Sequence, residues 1–152
     1  MIEIAGMGGV YMMRTKCHIL GEEQRRDLTK MITTVVRQDE RVLFVFLYGS
    51  FLYGAFFRDI DLGVFVKDVG STGFWDYECR LSQKIERMLG HPFPVEAKVI
   101  NRAPISFCYH VIRGRLLFVR DEGVMVDFMT RVARTYLDMA PLRRKYMLEA
   151  MA

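Results

Sequence analysis

Six consecutive apolar residues, Val42-Leu43-Phe44-Val45-Phe46-Leu47, constrain the fold of this chain more than any other feature. The run is rich in β-branched and aromatic side chains and bounded by turn residues, which predicts a strand buried on both faces. Such a strand needs a covering layer on each side of its sheet, so the architecture expected is α/β, a small mixed sheet flanked by helices. Tyr48-Gly49-Ser50 follows at once. Gly49 lets the chain turn sharply, and Ser50 stands where a short helix begins. Backbone N–H groups and one hydroxyl then point at a single spot that suits phosphate oxygens.

Eight residues further on, after Phe51 to Arg58, come Asp59-Ile60-Asp61 and another apolar stretch. On a strand running from Asp59 to Lys67, Asp59 and Asp61 share one face, while Ile60, Leu62, Val64 and Val66 share the other. Carboxylates two residues apart start from Cα atoms roughly 6.6 Å from each other, close enough to converge on one hard cation or on a pair about 3.5–4 Å apart. A third carboxylate comes from Val95-Glu96-Ala97-Lys98-Val99, where Glu96 and Lys98 alternate with the apolar residues of a half-buried strand. Asp59, Asp61 and Glu96 together predict a site for two metal ions that neutralise a nucleotide triphosphate and align it for in-line attack. Glu96 would ligate a metal or accept the proton. Mg²⁺ is the expected ion, because it prefers oxygen ligands and is usually held by carboxylates together with substrate phosphates.

Gly49-Ser50 followed by Asp59-x-Asp61 resembles the signature of the DNA polymerase β-like nucleotidyltransferases, and the remainder is similar to their minimal single-domain branch, the MNT proteins. Val95-Glu96 through Pro104 resembles that family's third-carboxylate strand and the segment after it. Gly114 to Phe118 is similar to its last short strand, and Arg131 to Met151 to its helical tail. The resemblance runs from about Glu22 to the end. It implies the nucleotidyltransferase fold and transfer of a nucleoside monophosphate, AMP from ATP, to a protein hydroxyl. The implied acceptor is a tyrosine of a cognate HEPN-domain toxin, which the modification neutralises. In this reading Gly49 and Ser50 seat the phosphates, and Asp59, Asp61 and Glu96 serve as metal ligands and catalytic groups. Three departures stand out: a loop of eight residues where the family commonly has ten, Tyr53 where its minimal members usually carry Arg, and Glu96 for the usual Asp. Arg58 and Lys98 are the nearby candidates to replace the missing phosphate-facing cation. The runner-up reading is an antitoxin that neutralises its partner by binding alone.

Composition excludes several other classes. With 152 residues, 51% of them hydrophobic, the chain can build one sizeable core. No stretch of about 18 uncharged apolar residues exists, so no membrane span is expected. The opening 1–21 segment lacks the layout of a signal peptide and is read as an extension, with Met12 or Met13 as alternative starts; 22–152 is read as one domain. Cys17, Cys79 and Cys108 have no metal-binding spacing and read as reduced thiols of a cytoplasmic protein. His18, His91 and His110 form no ligand pattern either. The net charge of +4 is spread along the chain and favours an anionic nucleotide or acidic partner without demanding nucleic acid.

Between the strands, periodicity predicts a helix over Glu22–Gln38, with Leu28, Met31, Ile32, Val35 and Val36 inward. A second spans about Trp75–Leu89, with Leu81, Ile85, Met88 and Leu89 inward. Strand Val95–Ile100, a helix from Pro104 to about Arg113 and strand Leu116–Val119 come next. The rest is helix, interrupted near Pro141. Val124, Phe128, Val132, Tyr136, Met139, Met147 and Met151 form an apolar stripe, half of it expected in the core and half free for a homo- or hetero-oligomeric contact.

Overall fold

A computed structural model of the chain describes residues 16–90 and 92–152, together with the backbone of Glu3–Ala5 (β1) and Met12–Arg14 (β2). β1 and β2 pair antiparallel. Of the opening extension, the other residues before Lys16 lie outside the described set. From His18 onward the segment touches the main unit: His18 and Phe57 exchange backbone hydrogen bonds of 2.8 and 3.0 Å.

Helix α1 (Glu22–Gln38) leads into β3 (Val42–Tyr48), whose seven residues are all buried. A four-residue helix, α2 (Ser50–Tyr53), and a loop return the chain to β4 (Ile60–Val66). Then come α3 (Phe74–Met88), β5 (Val95–Val99), α4 (Ile105–Ile112), β6 (Arg115–Val119), α5 (Glu122–Asp138) and α6 (Ala140–Met151). The sheet order is β5-β4-β3-β6, with β4 and β5 parallel and the other pairs antiparallel. The expected mixed sheet with helices on both faces is what forms.

Each face has its own core. Ile32, Val35 and Val36 of α1 and Tyr77, Leu81 and Ile85 of α3 pack on Val45, Leu47, Leu62, Val64, Ala97 and Val99. On the opposite face Cys108 and Val111 of α4 and Met125, Phe128 and Val132 of α5 pack on Phe44, Phe46 and Tyr48. Gly63 sits beneath α4, where a Cβ would collide with the Val111 side chain. That lack of a side chain brings the helix down onto β4.

Several expectations need correction. Met31 and Met88, read as inward, are exposed. Met31 lies at the flank of a stripe that Ile32, Val35 and Val36 already fill, and Leu89 takes the core position that Met88 would have had. Tyr77 is buried instead, its hydroxyl donating to Asp39 Oδ2 at 2.9 Å. Asp59 stands one residue ahead of β4 rather than on it, because pairing with β5 begins at Ile60 opposite Val95. The terminal helix breaks at Met139, and Pro141 falls in the first turn of α6, where its missing N–H has no helical partner to lose.

Candidate active site

The site begins where β3 ends. Gly49 has φ +82° and ψ −163°, a conformation costly for any residue with a Cβ, and a Cβ there would also run into the Asp61 carboxylate. Glycine therefore serves twice, turning the chain and leaving room for an acid. Beyond it, the Leu52 and Tyr53 N–H groups fold back on the Gly49 carbonyl at 3.1 and 3.3 Å, forming the turn of α2. Ser50 is exposed at its start, as the sequence predicts.

One residue below this turn fastens it. Arg25 of α1 donates to the carbonyls of Phe51, Gly54 (2.8 Å), Ala55 (3.2 Å) and Leu20 (3.2 Å). Its guanidinium lies 5.5 Å and 5.3 Å from the ring centres of Phe51 and Phe57, which themselves meet edge to face. Sequence reasoning missed Arg25, since an arginine in the first turns of an amphipathic helix reads as solvated surface.

The register of the sheet brings the acids together. Asp61 pairs with Tyr48 across the antiparallel ladder and with Glu96 across the parallel one. Adjacent strands lie about 4.8 Å apart, so Asp61 and Glu96, on the same face, become neighbours. Asp59, Asp61 and Glu96 each offer a carboxylate oxygen, and these oxygens lie within 4.8 Å of one another. Among the described residues no other group of three or more His, Cys, Asp or Glu converges in this way.

Three close carboxylates resist being charged together. Burial raises the Asp61 carboxyl to about 6, helped by the charges of Asp59 and Glu96 and by a hydrogen-bonding contact with Glu96. Tyr48 beside them has its phenol pushed up by burial and by the same carboxylates, Asp61 foremost. Such crowding of hard oxygen donors is what a divalent cation relieves, so these residues fit Mg²⁺.

β5 is held in place from its outer side. The N–H groups of Val95, Ala97 and Val99 donate to Glu86 (2.8 Å), Ser82 (3.0 Å) and Glu78 (2.8 Å). Four residues on a helix advance about 6 Å and two on a strand about 6.6 Å, so α3 can satisfy the alternate N–H groups of an edge strand. This ladder sets which way Glu96 faces. In the sequence, nothing distinguishes Glu78, Ser82 and Glu86 from the polar face of an amphipathic helix.

The remaining predicted residues divide. Lys98 lies on the face of Glu96, 3.4 Å from its carboxylate and 4.0 Å from that of Glu78, with the Trp75 ring 5.7 Å away. Arg58 is exposed beside Asp59 and makes no side-chain hydrogen bond or ion pair among the described residues. Tyr53 is exposed, and its hydroxyl donates to the Arg113 carbonyl at the end of α4 (3.0 Å). His18 packs on Phe57 and Phe93, His110 on Tyr48, and His91 lies outside the described residues. All three cysteines are free. No helix among the described residues is long and apolar enough to cross a membrane.

No curated protein sequence matches the chain. Solved structures do. An MNT antitoxin in complex with a tri-AMPylated HEPN toxin of Shewanella oneidensis is 19% identical, with TM-score 0.62, covering 84% of this chain and 99% of that one. A toxin–antitoxin structure with AMP-PNP is 21% identical, with TM-score 0.64, covering 82% and 98%. The MntA-HepT toxin–antitoxin structure is 18% identical, with TM-score 0.62, covering 84% and 99%. At these identities the likeness is one of fold. The family model described as "Polymerase beta, Nucleotidyltransferase" matches residues 30–123, a span that contains the glycine-serine turn and all three carboxylates; the chain belongs to the polymerase β nucleotidyltransferase family.

Proposed function

We propose that this protein is an Mg²⁺-dependent transferase that moves AMP from ATP to a tyrosine hydroxyl of a HEPN-domain toxin, and so acts as its antitoxin. The convergence of Asp59, Asp61 and Glu96 beside Gly49 carries this reading. The structural neighbours support the substrates: one is an MNT antitoxin with an AMPylated HEPN toxin, and another was solved with AMP-PNP.

In this reading residues 22–152 form the one catalytic domain. Asp59 and Asp61 would hold the Mg²⁺, two ions in this reading, and Glu96 would ligate one or take the proton of the attacking hydroxyl. When bound, Mg²⁺ neutralises the triphosphate and the departing pyrophosphate. Gly49 and Ser50 would seat the phosphates against the start of α2, through backbone N–H groups and the Ser50 hydroxyl. Arg58 and Lys98 serve as the phosphate-facing cations. The acceptor oxygen bonds to the α-phosphorus, and the bond from that phosphorus to the bridging oxygen of the β-phosphate breaks. The hydroxyl proton leaves to the base, and pyrophosphate carries away the electron pair.

The test mixes the protein with its HEPN partner, ATP and Mg²⁺, and weighs the partner by mass spectrometry. A gain of one AMP or more is expected. Asp59→Asn with Asp61→Asn should lower the transfer rate by roughly a thousandfold, about 4 kcal/mol of transition-state stabilisation. Equal Mg·ATP affinity in both proteins by calorimetry would sink the metal assignment.

A second reading is an antitoxin that neutralises by binding alone. Tyr53 favours it, because it contributes no cation and its hydroxyl is engaged by Arg113. So does Lys98, whose charge is already shared between two carboxylates. Under this reading the double variant neutralises the partner as well as the wild type, without ATP.

A further inference from the structure

The cleft carries a cation of its own. Lys98 stands two residues after Glu96 on β5, and its ammonium lies 3.4 Å from the Glu96 carboxylate. Glu96 offers an oxygen to the convergent set, so Lys98 neutralises one of the three acids that fit Mg²⁺. Arg58, next to Asp59 in the chain, makes no such pair among the described residues.

Lys98 also has a second anchorage, away from the convergent acids. Glu78 Oε2 lies 4.0 Å from its ammonium. Glu78 is itself held in place, because its other oxygen accepts the Val99 N–H at 2.8 Å and its side chain is only 15% exposed. One turn earlier on α3, the Trp75 ring centre lies 5.7 Å from the same ammonium, and Trp75 is 71% exposed. The ammonium therefore sits between two anions, one belonging to the cleft and one pinned by the backbone of β5.

Two cations do not share the Glu96 oxygens cheaply. A divalent ion and an ammonium a few ångströms apart repel strongly, even with the screening found near a protein surface. Mg²⁺ also demands a close, regular shell of oxygens, in which an ammonium has no place. The flexible four-carbon stem lets Lys98 yield. Glu78 and the face of Trp75 keep its charge compensated once it does.

We propose that Lys98 is the resident counter-ion of the metal-free cluster, and that Mg²⁺ displaces its ammonium from Glu96 toward Glu78 and Trp75. This rests on the metal assignment above and adds to it a competitor for the third carboxylate. Free Mg²⁺ has to take Glu96 from Lys98, so the site binds it more weakly than the same acids without the lysine.

The test uses the full chain without nucleotide. Trp75 is its only tryptophan, and a cation moving against the ring alters its emission. Mg²⁺ is titrated into the wild type, Lys98→Met and Arg58→Met, by calorimetry and by tryptophan emission. In the wild type the emission should change with the calorimetric midpoint. Lys98→Met should bind Mg²⁺ about fivefold more tightly, since the metal no longer breaks a partly exposed ion pair, and its emission should no longer respond. Arg58→Met should keep the wild-type response and change the affinity less. Equal or weaker Mg²⁺ binding by Lys98→Met, or an emission change that survives in it, overturns the displacement and leaves the metal assignment standing. So does equal tightening in both variants with no emission change in the wild type, which reports only the net charge of the cleft. No Mg²⁺ binding by any of the three overturns the metal assignment and the displacement together.

Discussion

At the cleft each position is set by several elements at once. Asp61 is held between β3 and β5, Gly49 yields it space, and Arg25 reaches from α1 to clamp the turn beyond. Along α6 no residue is buried, and the Arg143 stack on Tyr136 helps to tie the helix to α5. The contrast teaches where a substitution is felt. In an over-determined region a changed atom disturbs both folding and geometry, whereas on an exposed helix it changes only what the helix meets.

The largest expected effect on stability is at Gly49. Gly49→Ala forces a Cβ into a left-handed backbone position and against the Asp61 carboxylate. Strain and crowding together should cost roughly 3 kcal/mol of stability, read from urea denaturation. A cost under about 1 kcal/mol would mean that the turn is looser than its geometry indicates.

Arg25→Met comes next. It keeps an apolar stem but removes the guanidinium that satisfies the Phe51, Gly54 and Ala55 carbonyls. A loss of about 2 kcal/mol is expected. Because the clamp lies under the turn proposed to seat the phosphates, KM for ATP should also rise while Mg²⁺ affinity holds. Unchanged KM would make Arg25 a packing residue only.

Smaller again is a pH effect of the carboxylate cluster. The folded state raises Asp61 to about 6 from 3.8, so the metal-free fold holds that proton more tightly than the unfolded chain. Stability from this source is full below about pH 4 and is lost as pH rises through about 6. The metal-free Tm should therefore fall over that window, less so in Asp61→Asn, and Mg²⁺ added at neutral pH should restore it. A flat profile in the wild type would contradict the crowding.

Smallest is the effect on folding at α6. Tyr146→Glu with Leu148→Glu should shift stability by no more than about 0.5 kcal/mol, since neither side chain is buried. A larger loss would show that α6 supports the core, and the contrast with the cleft would then fail.

Some of this was legible in the linear chain because it depends on local rules. The apolar run of β3, the turn at Gly49 and the alternation through Ile60–Val66 and Val95–Val99 each follow from the geometry of a strand, in which neighbours two apart share a face. They made Asp59, Asp61 and Glu96 a candidate set before any contact was known. The surplus of apolar residues in the tail was visible for the same reason, since composition does not depend on packing.

The tertiary structure alone decided which residues hold those acids in place. Glu78, Ser82 and Glu86 look like solvent-facing residues until β5 lies beside them and offers its free N–H groups. Arg25 looks like surface until α2 and its loop turn their carbonyls toward it. Met31 and Met88 fit the helical period but lost their core places to neighbours with better access to the sheet. Periodicity is a property of one element, while burial, edge capping and carbonyl clamping are relations between elements distant in sequence. The residue types that could meet were written in the chain, but only the sheet order β5-β4-β3-β6 determined which of them did.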